Sequence, residues 1–296
     1  MIRESLLCAL CPLTCFQSET TYLTAPRRPK VKVEMNNSVI QNAIELRDPT
    51  LARKALREID VLLGSTPDPN ERVYLLFSKS SCHGILGNFE EAREQLCLAL
   101  QQEPEDPDIR LTFEFNGGLL CQQEGNYREA LEKFSAVLSG HAERLSRPEL
   151  RFMYEDIQQR RAFLSVTLCQ FQDAVRLLQE ILSFDLQADV RSDALASLAL
   201  CYLELQEWEL AKNSLLQARA IGVTKEREKT FHLYLGIAYF YTESLTEAKR
   251  EFEICEEHAI EYQLPTVDVY AWLSSVFKRL GEMAESERYA QLARPS

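Results

Sequence analysis

Hydrophobic residues recur along most of the chain at intervals of three and four, the spacing of a helix with one apolar face. The clearest stretch runs from 195 to 218, and a second stretch with the same layout runs from 233 to 255. A short polar segment interrupts each pattern, QEWE in the first stretch and TESLTE in the second. Each stretch therefore predicts two antiparallel helices joined by a tight turn.

Small residues stand at fixed places in these two hairpins. Ala199 and Gly236 lie on the first helices, and Ala211 and Ala248 follow twelve residues later on the second helices. Because a glycine or alanine occupies little space, the two helices of each hairpin can approach closely at these places. The pattern therefore predicts both the helices and the side of each helix that faces its neighbour.

The same layout recurs over the rest of the chain, which identifies an internal repeat. Seven units carry a small residue at the corresponding place of the second helix: Ala52, Ala92, Ala130, Ala174, Ala211, Ala248 and Ser286. Successive anchors are 40, 38, 44, 37, 37 and 38 residues apart, and the longest interval contains the insert HAERLSRPELR (141–151). The sequence thus predicts seven consecutive hairpins between residues 35 and 296.

The order of residues in each unit resembles the tetratricopeptide repeat, whose usual length of about 34 residues is shorter than the intervals found here. The resemblance implies an all-α fold, a right-handed superhelical solenoid of about seven antiparallel hairpins. It also implies that the first helices line a concave groove, and that this groove binds a partner protein or peptide.

The register of this family assigns particular side chains to the groove. The Lys, Asn and Arg residues with which some members hold a C-terminal carboxylate are absent, and the corresponding places include Ser81, Phe115 and Leu119. We expect the partner to bind at Phe163, Leu200, Leu233, Tyr234, Ile237, Tyr241, Trp272, Lys278 and Arg279. These side chains favour an apolar partner with an acidic end near Arg279. The alternative is that they are core residues packed between hairpins.

Charge and cysteine content exclude some classes of function. The net charge is −12, which argues against nucleic acid and anionic membranes as partners. Most of the nine cysteines stand singly among apolar residues, as expected for buried free thiols in a reducing compartment. We therefore expect a cytoplasmic protein, and we expect it to be a monomer whose last helix is polar enough to end the stack.

Residues 1–34 do not follow the helical pattern. We interpret them as a poorly ordered leader, or as a start assigned too early, with translation beginning at Met35. Cys8, Cys11 and Cys15 have a spacing that suggests a metal site, but no fourth ligand lies nearby in the sequence. The sequence therefore predicts no metal and no cofactor.

The residues do not make a case for catalysis. The four histidines, at 83, 141, 232 and 258, lack the spacing of metal ligands, and the common phosphate-binding and nucleophile motifs are missing. The function predicted is a non-catalytic scaffold or adaptor that binds a partner in its groove. The alternative is a peptide-sensing regulatory protein with lengthened repeats, although no DNA-binding helix-turn-helix accompanies them. An enzyme, or an accessory domain of one, is the third reading.

Overall fold

The computed structural model describes residues 38–65, 68–102 and 106–294, so the predictions made for residues 1–34 lie outside the described residues. Within these ranges the chain forms fifteen α-helices and no strand. The helices are α1 (Ser38–Leu46), α2 (Pro49–Ser65), α3 (Pro69–Ile85), α4 (Phe89–Gln101), α5 (Pro107–Gln123), α6 (Tyr127–Gly140), α7 (Ala142–Leu145), α8 (Arg151–Thr167), α9 (Phe171–Leu182), α10 (Ala188–Glu204), α11 (Trp208–Ile221), α12 (Glu228–Tyr241), α13 (Leu245–Glu261), α14 (Val267–Leu280) and α15 (Met283–Leu292).

The helices belong to two compact units. The N-terminal unit ends at Leu164 and the C-terminal unit begins at Ser165, both within α8. The helix order confirms the seven predicted hairpins, with α7 as an extra short helix between the third and fourth. None of the helices in the described ranges is both long and apolar enough to cross a bilayer.

The small anchors of the second helices are buried as predicted. All six alanines are 0% exposed, and Ser286 is 6% exposed. Where serine stands on the first helix, its hydroxyl crosses to the second helix and donates a hydrogen bond, from Ser80 to the carbonyl of Ala92 (2.7 Å) and from Ser274 to that of Ser286 (2.8 Å). The two helices of these hairpins therefore touch where the first-helix residue meets the anchor twelve residues later.

Glycine and phenylalanine are matched across two of the hairpins. A Cβ on Gly118 would lie 2.7 Å from a ring atom of Phe134, and one on Gly236 would lie 2.5 Å from Phe252. In two other units the same two places, sixteen residues apart, hold Ser80 with Leu96 and Ala199 with Leu215, so a larger residue than glycine faces a smaller one than phenylalanine. Phenylalanine therefore stands opposite glycine, and this match in size allows dense packing between the two helices.

The turns between paired helices share one backbone conformation. One residue in each turn has a positive φ, between 52° and 86°, two positions before the second helix: Arg47, Gly87, Gly125, Cys169, Gln206, Glu243 and Gly281. Glycine adopts this conformation freely, whereas any other L-residue loses about 1–2 kcal/mol in it. Four of the seven turns thus carry local strain that the packing of their helices offsets.

Three helices begin with an Asp-Pro pair. The carboxylates of Asp48, Asp68 and Asp106 accept hydrogen bonds from backbone N–H groups of the first turns of α2, α3 and α5. The following proline has no N–H to lose at this position and fixes a helical φ. These pairs set the starts of the helices in the N-terminal unit.

The predicted insert is ordered by two buried leucines and one carboxylate. It forms α7 and a single 3-10 turn (Pro148–Leu150), and both Leu145 and Leu150 are buried. Asp108, at the start of α5, pairs with Arg144 at 2.9 Å and with Arg147 at 2.6 Å. The longest repeat interval thus accommodates an anchored segment rather than a free loop.

Candidate functional site

The residues predicted for the groove lie on four first helices. Phe163 is on α8, in the N-terminal unit, and is half-buried. The other eight belong to the C-terminal unit: Leu200 on α10, then Leu233, Tyr234, Ile237 and Tyr241 on α12, then Trp272, Lys278 and Arg279 on α14. These three helices are neighbours through α12, so the eight residues lie on adjacent helices of the C-terminal unit.

Burial corrects the expectation of an open apolar groove there. Five side chains are at most 9% exposed: Leu200, Leu233, Tyr234, Ile237 and Trp272. They pack between hairpins, so the core alternative describes their environment. Burial of this kind stabilises the fold but leaves little of their surface for a partner. Of the eight predicted residues in this unit, the exposed ones are therefore Tyr241, Lys278 and Arg279.

Tyr241 is the exposed end of an aromatic cluster. It is 40% exposed, and its ring stacks on Trp208 with a centroid distance of 4.0 Å and an interplanar angle of 11°. The ring of Trp272 meets Tyr241 edge-on at 6.1 Å and stacks on Phe252 at 5.8 Å. Such pairs contribute about 0.5–1.5 kcal/mol each beyond burial, so the Tyr241 ring is held in place before any partner arrives.

Trp208 is the member of this cluster that the sequence did not assign to the site. It is the first residue of α11, directly after the turn of its hairpin. The signal that would have found it is its position beside the turn, close to the end of the next first helix, where Tyr241 lies. Stacked tryptophan and tyrosine rings with an exposed edge are common at interaction surfaces.

Arg279 is fixed beside this cluster. Its guanidinium lies over the Phe240 ring, 4.7 Å from the centroid, and donates a hydrogen bond to the Phe240 carbonyl at 3.2 Å. It also pairs with Glu243, and this hydrogen bond raises the pKa of Arg279 and lowers the pKa of Glu243. Lys278 is exposed, and among the described residues it has no ion-pair partner. The positive charge open to a partner here is therefore mainly that of Lys278.

A buried carboxylate connects three helices elsewhere in the C-terminal unit. Glu251 is 5% exposed and accepts hydrogen bonds from Arg219 (2.7 Å) and from Nδ1 of His232 (2.7 Å). Burial acts to raise the pKa of Glu251, but these hydrogen bonds outweigh it and the pKa is lowered. A cavity of about 350 Å³ adjoins the cluster. Because both carboxylate oxygens are paired, the arrangement is that of a structural ion network.

The other histidines also have structural environments. His141 lies 2.8 Å from Glu114, and His258 is 8% exposed with its ring against Tyr262 at 4.5 Å. His83 is half-buried, which lowers its pKa. Across residues 38–65, 68–102 and 106–294, no group of three or more His, Cys, Asp or Glu side chains is placed to hold a metal ion. The Cys8, Cys11 and Cys15 motif lies outside the described residues.

The N-terminal unit holds a larger cavity that the sequence did not single out. It has a volume of about 650 Å³ and is lined by the first helices α3, α5 and α8 and by the end of α1. Ser81, Phe115 and Leu119, which the family register places in the groove, line this cavity, together with Arg47 and Arg160. Only the tertiary structure brings the two arginines together, since 113 residues separate them in the sequence.

Solved structures similar to this chain are helical repeat proteins. The apo form of RapI matches with a TM-score of 0.64 at 13% identity, over 86% of this chain and 73% of the other. The C-terminal part of a TPR repeat-containing protein from Cytophaga hutchinsonii matches with a TM-score of 0.62 at 11% identity, over 86% and 92%. A tetratricopeptide repeat protein from Parabacteroides merdae matches at 0.54 and 21%, over 76% and 81%.

Sequence comparison gives no such match: no protein-family model and no curated protein is recognisably similar to the chain. At the identities of the structural matches, the likeness establishes the fold, which is that of tetratricopeptide repeats.

Proposed function

We propose, from the tetratricopeptide-repeat fold of this chain, that it is a non-catalytic scaffold or adaptor. In this proposal a partner protein or peptide binds on the face of the C-terminal unit formed by α10, α12 and α14. The observation that carries the proposal is the exposed Tyr241 ring, held by Trp208 and Trp272, with Arg279 over the neighbouring Phe240 ring. A repeat fold that presents a fixed aromatic ring beside cations is suited to recognition.

The chemistry of the face favours a partner with an apolar or aromatic side chain and an acidic group. Tyr241 offers a ring edge and face for the apolar side chain, and Lys278 offers a charge that is unpaired among the described residues. The five buried side chains support this surface indirectly, because their packing holds α12 between α10 and α14. A prearranged surface loses less conformational entropy on binding than a mobile one.

Our proposal includes a monomer in a reducing, cytoplasmic environment. The support for the environment is that the six cysteines at 82, 97, 121, 169, 201 and 255 are all free thiols. Burial raises the pKa of Cys82 and of Cys121 to about 11, and that of Cys255 to about 12, which keeps these thiols protonated and unreactive. Light scattering of the purified chain tests the monomer, and a dimer mass would contradict it.

A peptide-sensing regulator is the second candidate. The observation that favours it is the length of the repeats, since all intervals between anchors exceed the usual length of about 34 residues. The two candidates differ in what they bind. A partner protein should co-purify with a scaffold in a fixed molar ratio, whereas a short peptide should co-purify with a sensor. Mass spectrometry of the bound material distinguishes them.

Affinity purification with the full chain tests the proposed face. Tyr241→Ser removes the exposed ring, and Tyr262→Ser is the matched control because Tyr262 is similarly exposed (45%) and lies at the end of α13. We expect the wild type and the Tyr262→Ser variant to recover the same partner, and the Tyr241→Ser variant to lose most of it. Equal recovery by all three proteins, with unchanged helical content, would exclude this face.

A further inference from the structure

The cavity of the N-terminal unit combines apolar walls with side-chain amides. Ile44, Ile85 and Leu119 supply apolar surface, and side-chain amides line the same space. Its volume of about 650 Å³ lies within the range of sites that bind small ligands or peptide side chains. A single phosphate or similar small anion would leave most of this volume unfilled, so the lining fits a larger molecule.

The amides of the cavity suit a peptide backbone. Asn116 donates to the Thr112 carbonyl of its own helix (2.7 Å), which leaves its amide oxygen as an acceptor, and Gln122 accepts from Arg160 (3.2 Å), which leaves its NH₂ as a donor. Gln123 lies beside them in the lining. Extended peptide presents alternating N–H and C=O groups, which amide side chains can pair in both directions.

Two arginines face the same cavity, and only one of them has an acidic partner. Arg160 is 11% exposed, its Nε lies 3.1 Å from a carboxylate oxygen of Asp156, and its guanidinium lies over the Phe115 ring at 5.9 Å. Arg47 remains exposed to solvent and has no ion pair or hydrogen bond from its guanidinium to any described residue. Partial burial of its side chain lowers the pKa of Arg47, and the nearby charge of Arg160 lowers it further.

Two carboxylates also line the cavity, and neither of them pairs with Arg47. Asp156 forms an ion pair with Arg160. Burial of Asp156 raises the pKa of its carboxyl in spite of this pairing. Glu45 also lines the cavity, but it is exposed and accepts a hydrogen bond from Gln41 at 2.8 Å. A further carboxylate placed between Arg47 and Arg160 would relieve the repulsion between the two guanidinium groups, and guanidinium donors match carboxylate geometry.

We propose that this cavity binds an extended peptide segment whose Asp or Glu side chain lies between Arg47 and Arg160 and whose neighbouring apolar side chain packs against Ile85 and Leu119. The inference rests on the proposal that the chain binds peptides or proteins, and it adds a second contact of stated chemistry in the other unit. The overall charge of −12 does not oppose this locally, because charges more than about 8 Å away are largely screened in physiological salt.

A displayed library of random short peptides, selected on the full chain, tests the proposal. We expect the selected peptides to be enriched in Asp or Glu next to an apolar residue. Arg47→Gln should weaken the binding of a selected peptide roughly fivefold or more, as should changing the peptide's acidic residue to its amide. Both changes together should weaken it no further than either alone, because they remove the same contact.

Arg57→Gln is the matched control. It makes the same change of charge on the exposed surface of the neighbouring helix α2, outside the cavity lining, and should leave peptide binding unchanged. Selected peptides without acidic residues, equal binding by the Arg47→Gln variant, or additive losses would each overturn the inference. If the peptides bind but depend on Tyr241 and not on Arg47, the inference fails while the proposed function stands. No enrichment at all would also overturn the inference, and affinity purification would still test the function separately.

Discussion

Gly117 and Gly118 are neighbours in α5 that differ in what an added methyl group would meet. On Gly118 the new Cβ would lie 2.7, 2.9 and 3.0 Å from three ring atoms of Phe134, closer than real Cβ contacts. On Gly117 the nearest atoms are side-chain carbons of Leu96 and Lys133 at 3.6 and 3.9 Å, which is ordinary van der Waals contact. The two alanine variants therefore make the same chemical change with different packing.

The expected magnitudes follow from two opposing effects. Alanine in place of glycine inside a helix stabilises by about 1 kcal/mol, and both variants gain this. Overpacking of a dense core costs about 1–3 kcal/mol, and Phe134 is 0% exposed, so its ring cannot swing outward. We expect Gly117→Ala to raise the free energy of unfolding by up to about 1 kcal/mol. The free energy of unfolding of the Gly118→Ala variant should lie about 2 kcal/mol below that of the Gly117→Ala variant.

Urea unfolding of the full chain, followed by circular dichroism, measures this difference. A double variant that combines Gly118→Ala with Phe134→Leu provides a second test, because a smaller partner should accept the methyl group. Gly118→Ala should then cost less in the Phe134→Leu background than in the wild type. If Gly118→Ala proves as stable as Gly117→Ala, the matching of glycine to phenylalanine does not control this hairpin and the reasoning is refuted.

Two further predictions concern a turn and a buried ion network. Gln206→Gly should stabilise the chain by about 0.5–1 kcal/mol, because its φ of 62° strains any residue except glycine, while Gly125→Ala in the equivalent turn should destabilise it; thermal unfolding measures both. Glu251→Gln should destabilise by about 1–3 kcal/mol at neutral pH. The folded-state pKa of Glu251 is lowered, so its contribution is complete above the unfolded-state value of about 4.3 and is lost as pH falls through the folded value. Urea unfolding at a series of pH values should therefore show the two proteins converging in acid, and a constant difference would contradict the assignment.

The repeat was predictable because its determinants are local. The spacing of apolar residues sets each helix, and the small anchors, such as Ala92 and Ala211, set where two adjacent helices touch. Both depend on residues within one hairpin, so a single sequence contains them. The structure confirms the seven hairpins, and the turn of the fourth reaches the shared positive φ with Cys169 in place of glycine.

The candidate site was predictable only in part. The sequence located Tyr241, Lys278 and Arg279, which are exposed, but it also assigned Leu233 and Ile237 to an open surface although they are 4% and 1% exposed. An apolar residue at a groove position has the same pattern whether the neighbouring hairpin covers it or leaves it open. That choice depends on how closely successive first helices pack, which no short stretch of sequence specifies.

The sequence by itself determined the number of hairpins, their turns and the contact points within them, since these arise from interactions over twelve to sixteen residues. The tertiary structure decided which side chains are accessible and which distant charges meet. Glu251 joins Arg219 to His232, and Arg160 comes near Arg47, because stacking brings different hairpins side by side. Burial and charge pairing depend on that stacking, and they are the properties on which the proposed binding rests.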